Sequence, residues 1–242
     1  MQRSKMSNVK TTPKKQTKAQ SSANILRGAL APDRVAAILA ALDEAYPRAV
    51  CALTHNSPWE LLVATILSAQ CTDVRVNLVT PELFHRFPTP QKMAKATLPQ
   101  LEALIRTTGF FRNKAKSIQG AARKIVTDFN GEIPQTLAEL ITIPGAARKT
   151  ANVVLGVAYG KAEGVVVDTH VFRIARRLGM AKAETPQKVE QELMRILPES
   201  RWIDFSHQII HHGRQVCEAR KPKCDRCNLE RLCTAKDKTW KS

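Results

Sequence analysis

Four cysteines near the C-terminus, Cys217, Cys224, Cys227 and Cys233, follow the spacing C-x6-C-x2-C-x5-C within seventeen residues. The first residues of the chain show no hydrophobic core for a secretion signal. Thiols this crowded therefore point to metal ligation more than to a disulfide framework. Zinc sites made of four cysteines usually carry two C-x2-C knuckles. Here there is one, and loops of six and five residues can wrap a larger body such as a [4Fe–4S] cube. The spacing favours the cube over zinc or free thiols and eliminates neither. Between the first two cysteines, Arg220, Lys221 and Lys223 sit on a short tethered loop. Such a loop is either a phosphate-contacting finger or an ordinary exposed basic segment. Cys51 and Cys71 stand apart and read as small buried apolar residues.

A second chemical grouping lies in "LAELITIPGAARKTANVVLGVAYG". One short helix is expected to end at Ile143, Pro144 and Gly145 turn the backbone, and another helix begins near Ala146. The N-terminal amides of that second helix make an anion site suited to a phosphate. Lys149 falls in its first turn. The helix dipole disfavours a cation there, and partial burial would add to that, enlarging the neutral, nucleophilic fraction of the amine. On sequence position alone, an ordinary surface lysine touching phosphate is the favoured reading. Nineteen residues later Asp168 precedes a helix in "VVVDTHVFRIARRLG". An N-cap is the commonest role for such an aspartate, and a cap also keeps a carboxylate ionised and aimed, as catalysis requires.

The elements that must position these groups are helical. Pro32 opens a segment with Val35, Ile38, Leu39 and Leu42 on one face, ended near Pro47. Ser57 and Pro58 supply a cap and a first-turn proline for "WELLVATILSAQ", which is apolar on most sides and reads as a central buried helix. Further helices are expected at 73–86, 90–94, 98–107, 112–129, 136–142, 146–159, 169–178, 186–196 and 201–213, with a capping-box pattern at Thr136 and Glu139. The only β-like piece, 164–167, is too short for a sheet, so the fold class is all-α.

Lysine and arginine total 38 against 21 acids, for a net charge of +17. Six of those basic residues lie in the first 23 positions, which carry no acid and read as a disordered basic arm; an organellar presequence is the alternative for that arm. The remaining chain is itself basic, which favours polyanions through counterion release. No run of eighteen apolar residues exists, so no membrane span is expected.

Taken together, "LSAQCTDVRVN", "GFFRNKA", "IPGAARKTANVVL", "VVVDTHVFRIARRLG" and "HHGRQVCEARKPKCDRCNLERLC" resemble the endonuclease III family of helix-hairpin-helix DNA glycosylases, over about residues 30–235. The resemblance implies two helical lobes flanking a DNA cleft. Residues 51–160 would form a six-helix lobe ending in the hairpin, and 24–50 with 161–236 the cluster lobe. It implies a [4Fe–4S] cofactor on the four cysteines, with Lys149 as Schiff-base nucleophile and Asp168 as its catalytic carboxylate. The implied activity is excision of oxidised or ring-saturated pyrimidines from double-stranded DNA, with AP lyase cleavage 3′ to the abasic site. Gln70 would fill the gap left by a flipped nucleotide and Phe110 would wedge the opposite strand, unless Phe110 is a core aromatic. Gly145, Ala147, Arg220, Lys221 and Lys223 would meet DNA. His170 would touch phosphate or hold its loop, and Asp73 is expected to cap a helix. A monomer acting in the cytoplasm on the nucleoid is the implied setting.

The chain departs from the family pattern in several places. Ala147 stands where the hairpin usually has a second glycine, "FF" replaces a Leu and a Tyr, Cys71 replaces an alanine, and one extra residue separates Lys149 from Asp168. Competing readings are an adenine-mismatch glycosylase, a thymine or uracil mismatch glycosylase, and a non-catalytic damage-binding module.

Overall fold

The computed structural model describes residues 31–240. The basic arm expected over 1–23 lies outside the described residues. The described residues contain eleven α-helices and no strand. In chain order the first six are α1 (Pro32–Ala45), α2 (Pro58–Leu67), α3 (Asp73–Arg86), α4 (Pro90–Lys95), α5 (Leu98–Ile105) and α6 (Phe111–Asp128). They are followed by α7 (Leu137–Leu140), α8 (Arg148–Tyr159), α9 (Thr169–Arg177), α10 (Pro186–Ile196) and α11 (Trp202–Gln215). No helix among the described residues is long and apolar enough to cross a membrane.

Local chemistry sets the helix starts. Ser57 caps α2 by accepting from the Glu60 N–H at 3.2 Å, and Pro58 occupies the first helical position. Thr72, Thr89 and Thr185 cap α3, α4 and α10 in the same way. At the start of α5 the Gln100 side chain reaches back, its Oε1 accepting from the Thr97 N–H at 2.8 Å. α2 is buried from Leu61 to Leu67, as its near-continuous apolar sequence requires. Each such leucine or isoleucine contributes about 1.5–3 kcal/mol of burial free energy.

Buried apolar side chains divide into two clusters. One is formed by α2 to α8, with Leu61, Leu62, Ile66, Leu101, Ile118 and Val154 near its centre. The other unites α1 with α9, α10, α11 and the C-terminal turns, through Ile38, Leu42, Ile174, Leu193, Phe205 and Leu229. Arg34 anchors α1 in this second cluster. It is 1% exposed, and its guanidinium donates to the carbonyls of Leu178 and of Leu232.

The extended stretch at 164–167 joins the clusters by strand-like alternation. Val166 packs into the first, and Val165 and Val167 into the second. The Val166 N–H donates to Ser206 Oγ at 3.1 Å, which satisfies a buried amide where no ladder exists. This stretch carries the backbone from the end of the hairpin directly to Asp168.

Candidate DNA-binding and catalytic site

The hairpin is a tight turn between α7 and α8. Thr136 caps α7, accepting from the Glu139 N–H at 3.3 Å. The Glu139 carboxylate takes the Thr136 hydroxyl at 2.6 Å instead of reaching back to the backbone, so the expected box forms in altered shape. Ile143 and Ala146 are buried and pin the turn, with the Ala146 N–H donating to the Ile143 carbonyl at 3.0 Å. Gly145 sits at φ 81°, and an added Cβ would lie 2.9 Å from Ser117 Cβ and 3.2 Å from an Ile66 methyl. Both conformation and space demand glycine there. Ala147 is different. It is the exposed N-cap residue of α8 with φ −71° and ψ 168°, ordinary extended backbone. The missing second glycine therefore leaves the turn unstrained.

The second hairpin helix starts at Arg148, two residues later than the sequence suggests. Lys149 lies in its first turn, with the free amides of the N-terminus around it. Its side chain is exposed, which corrects the expectation of partial burial. The neighbouring Arg148 ties this turn to α10. Arg148 Nε donates to Glu190 Oε2 at 2.9 Å and Asn152 Nδ2 donates to Glu190 Oε1 at 2.8 Å, while Glu190 is 5% exposed.

Asp168 caps α9. Its Oδ1 accepts from the N–H groups of His170 and Val171, both at 2.8 Å. Its Oδ2 makes no hydrogen bond among the described residues. One oxygen thus fixes the carboxylate and the other is left to act. His170 is half-buried against Gly213, where a Cβ would come 2.5 Å from His170 Nδ1. Arg173 Nη2 lies 3.3 Å from the same nitrogen. Burial pushes the imidazole below its ordinary range, the Asp168 charge opposes this, and Arg173 and Arg214 reinforce it.

Arg214, on α11, connects the two sides. Its guanidinium pairs with Asp73 at the start of α3, bridging the two clusters. Asp73 therefore does more than open a helix, and Thr72 supplies the cap there. Cys51 is half-buried within electrostatic reach of Lys149, Asp73 and Arg214. His170 is within reach of Asp168 and Arg214. The lysine side and the aspartate side of the structure thus meet at Arg214. Nothing local in the sequence signals the Arg214–Asp73 or Arg148–Glu190 pairs, which join residues far apart along the chain.

Gln70 and Phe110 tip two exposed loops, and Phe110 is 65% exposed, so it is not a core aromatic. Both adopt left-handed backbone, at φ 51° and 47°. Between the loops lies Lys114, 5% exposed, whose ammonium donates to the Thr108 carbonyl at 2.7 Å. Burial pushes this lysine down, and the half-buried Cys71 nearby opposes the shift. Neither loop carries a sequence signal that would have singled out Lys114.

The four C-terminal cysteines are half-buried and line one concavity, together with Arg177, Pro222 and Lys238. Burial pushes the Cys227 thiol up to about 12 and raises Cys233. Arg177 Nη1 donates to Cys217 Sγ at 3.3 Å and to the Glu218 carbonyl at 2.8 Å, while Nη2 meets Asp237 at 2.5 Å. Among the described residues no three His, Cys, Asp or Glu side chains converge to hold a single metal ion. On the adjoining loop Arg220 and Lys221 are exposed and make no ion pair among the described residues. Lys223 instead pairs with Glu218 at 2.7 Å, so its charge is partly spent inside the loop.

Residues 63–199 match the model of the HhH-GPD superfamily base excision DNA repair proteins. The chain is 56% identical over 200 residues to endonuclease III of Synechocystis sp., covering 83% of this chain and 91% of that protein. It is 40% identical over 201 residues to endonuclease III of Escherichia coli K12, covering 83% and 95%. Its fold superimposes with a TM-score of 0.81 on a trapped endonuclease III–DNA covalent intermediate, at 41% identity and covering 85% of this chain and 96% of the other.

Proposed function

The chain belongs to the HhH-GPD superfamily and, within it, to the endonuclease III family of DNA glycosylases and AP lyases, and we propose that Lys149 and Asp168 carry its chemistry. The observation that carries the proposal is a matched pair. An exposed lysine sits in the first turn after the hairpin, and an aspartate is fixed through Oδ1 while Oδ2 stays open. Both flank the Arg214–Asp73 junction between the two apolar clusters. We read 51–160 as one lobe and 24–50 with 161–236 as the other, with duplex DNA between them; over the described residues, from 31 onward, the two clusters support this.

The substrate class is double-stranded DNA bearing oxidised or ring-saturated pyrimidines or abasic sites. A saturated pyrimidine stacks poorly, so extruding it costs less than the few kcal/mol of a sound base. Gln70 enters the vacated stack and Phe110 wedges the facing strand. Gly145 and Ala147 present backbone amides to a phosphate at the start of α8, and Arg220 and Lys221 add side-chain contacts. Lys223 contributes less because Glu218 holds it. His170 orients the Asp168 turn against Gly213 and needs no direct contact with DNA.

At the sugar, the amine of Lys149 attacks C1′. A C1′–N bond to lysine forms as the bond to the base breaks, and the departing base takes a proton from water. Asp168 Oδ2 stabilises the positive charge that develops on the sugar and accepts the amine's surplus proton. That proton passes to O4′ as the ring opens, giving a protonated imine that acidifies C2′. Loss of a C2′ proton then expels the 3′ phosphate, leaving a conjugated imine that water hydrolyses.

Cys217, Cys224, Cys227 and Cys233 would hold a [4Fe–4S] cluster. They fit it in donor chemistry and in lining one concavity. The cluster would supply a rigid anchor for the segment bearing Arg220 and Lys221. The protein would act on nucleoid DNA in the cytoplasm, and a single cleft suits a monomer.

The function is tested by single-turnover assay on a duplex with one thymine glycol. The parent should release the base and cut the strand. Lys149→Ala should do neither, yet retain duplex binding.

A further inference from the structure

His212 of α11 is 1% exposed, and each of its ring nitrogens has one partner. The Tyr46 hydroxyl lies 3.0 Å from Nδ1, and Cys227 Sγ lies 3.6 Å from Nε2. The two rings meet edge to face at 5.8 Å, so the imidazole is held in plane. Tyr46, just past the end of α1, is half-buried and also lines a surface concavity with Asp43, Asp204 and Gln208. A line of hydrogen bonds thus runs from that concavity through a buried imidazole to one of the four cysteines.

Two proton arrangements satisfy this line. Either Tyr46 donates to Nδ1 and Nε2–H faces the sulfur, or Nδ1–H donates to Tyr46 and Nε2 accepts. A sulfur bound to iron is anionic and can only accept, which selects the first arrangement. Burial and the nearby Cys227 and Cys217 push the Tyr46 phenol up, so it keeps the proton it donates.

We propose that Tyr46 and His212 form an outer hydrogen bond to Cys227 that raises the reduction potential of the cluster. This rests on reading the four cysteines as cluster ligands. An N–H dipole aimed at a ligating sulfur stabilises the more negative, reduced state over the oxidised one. Arg177 makes a comparable contact to Cys217, but its other N–H groups are tied to Glu218, Ala219 and Asp237. Among the described residues the Tyr46 hydroxyl and the His212 ring nitrogens make no other hydrogen bond.

The test is spectroelectrochemical titration of the full-length, cluster-loaded protein, preceded by iron and sulfide analysis. His212→Phe, which keeps a buried ring and removes the donor, should shift the potential to a more negative value. Tyr46→Phe should shift it in the same direction by less, and His212→Gln, which retains an N–H donor, should recover part of the loss. Loaded His212→Phe protein with the parent's potential overturns the proposal. If that variant fails to load, Tyr46→Phe decides, and an unchanged potential there overturns it. Absence of iron and sulfide from the parent would instead overturn the cluster reading, and the proposal with it.

Discussion

Gln70 and Phe110 share left-handed backbone, φ 51° and 47°, on two exposed loops that Lys114 links, bonding the Thr108 carbonyl near one and lying within electrostatic reach of Cys71 on the other. Left-handed backbone costs a residue with a Cβ about 1–2 kcal/mol. Neither side chain recovers that cost through burial. The strain instead presents two side chains outward. Gln70→Gly should therefore raise stability by about 1 kcal/mol while weakening binding to lesion duplex. Phe110→Ala should leave stability within about 0.5 kcal/mol and weaken lesion binding about tenfold, as the loss of one stacking contact predicts. Urea unfolding and fluorescence anisotropy measure the two quantities. A stability loss in either variant would assign these residues to the scaffold.

The split use of the Asp168 carboxylate separates its structural and chemical roles. Asparagine can still cap α9 through its carbonyl oxygen but carries no charge. Asp168→Asn should melt close to the parent and lose about 10²- to 10⁴-fold in single-turnover base release. Asp168→Ala should lose the same activity and about 1 kcal/mol of stability as well. Equal activity of Asp168→Asn and parent would confine the residue to capping.

Glu190 holds the N-terminal end of α8 through Arg148 and Asn152. Glu190→Ala leaves two donors beside a buried site and should cost about 2–3 kcal/mol. Because these residues act as one unit, the effects of Glu190→Ala and Arg148→Ala should not add, and a double-mutant cycle reads the coupling.

Burial, then His211, push His207 below its ordinary range, with Asp204 opposing. The unfolded chain therefore takes up its proton first, near pH 6.5, and stability must fall as pH drops below that value. The stabilisation is complete above the unfolded pKa and is lost on acidification towards the folded one. His207→Gln should flatten the difference between urea midpoints at about pH 7 and about pH 5.5. An unchanged slope would place the acid sensitivity elsewhere, His170 included.

Most of the helices were legible in the sequence because proline, threonine and serine mark their starts and apolar periodicity marks their faces. The spacing of Val35, Ile38, Leu39 and Leu42 predicts one apolar face of α1, and that face is buried. The four cysteines, the hairpin and Asp168 were legible because their meaning lies in short spacings. Lys149 was legible as a position but not in its exposure, which depends on what the cleft leaves open. The Arg214–Asp73 and Arg148–Glu190 pairs, and the Tyr46–His212–Cys227 line, were not legible at all. Each depends on the meeting of distant segments in space. The left-handed backbone of Gln70 and Phe110 was also hidden, since neither residue type favours it.

Borohydride trapping on a duplex with one thymine glycol, followed by mass-spectrometric mapping of the adduct, tests the assignment of Lys149 most directly. Reduction of the imine should give a covalent protein–DNA adduct carried on Lys149, and none with Lys149→Ala. Base release by the parent without an adduct, or an adduct that persists in Lys149→Ala, would contradict it.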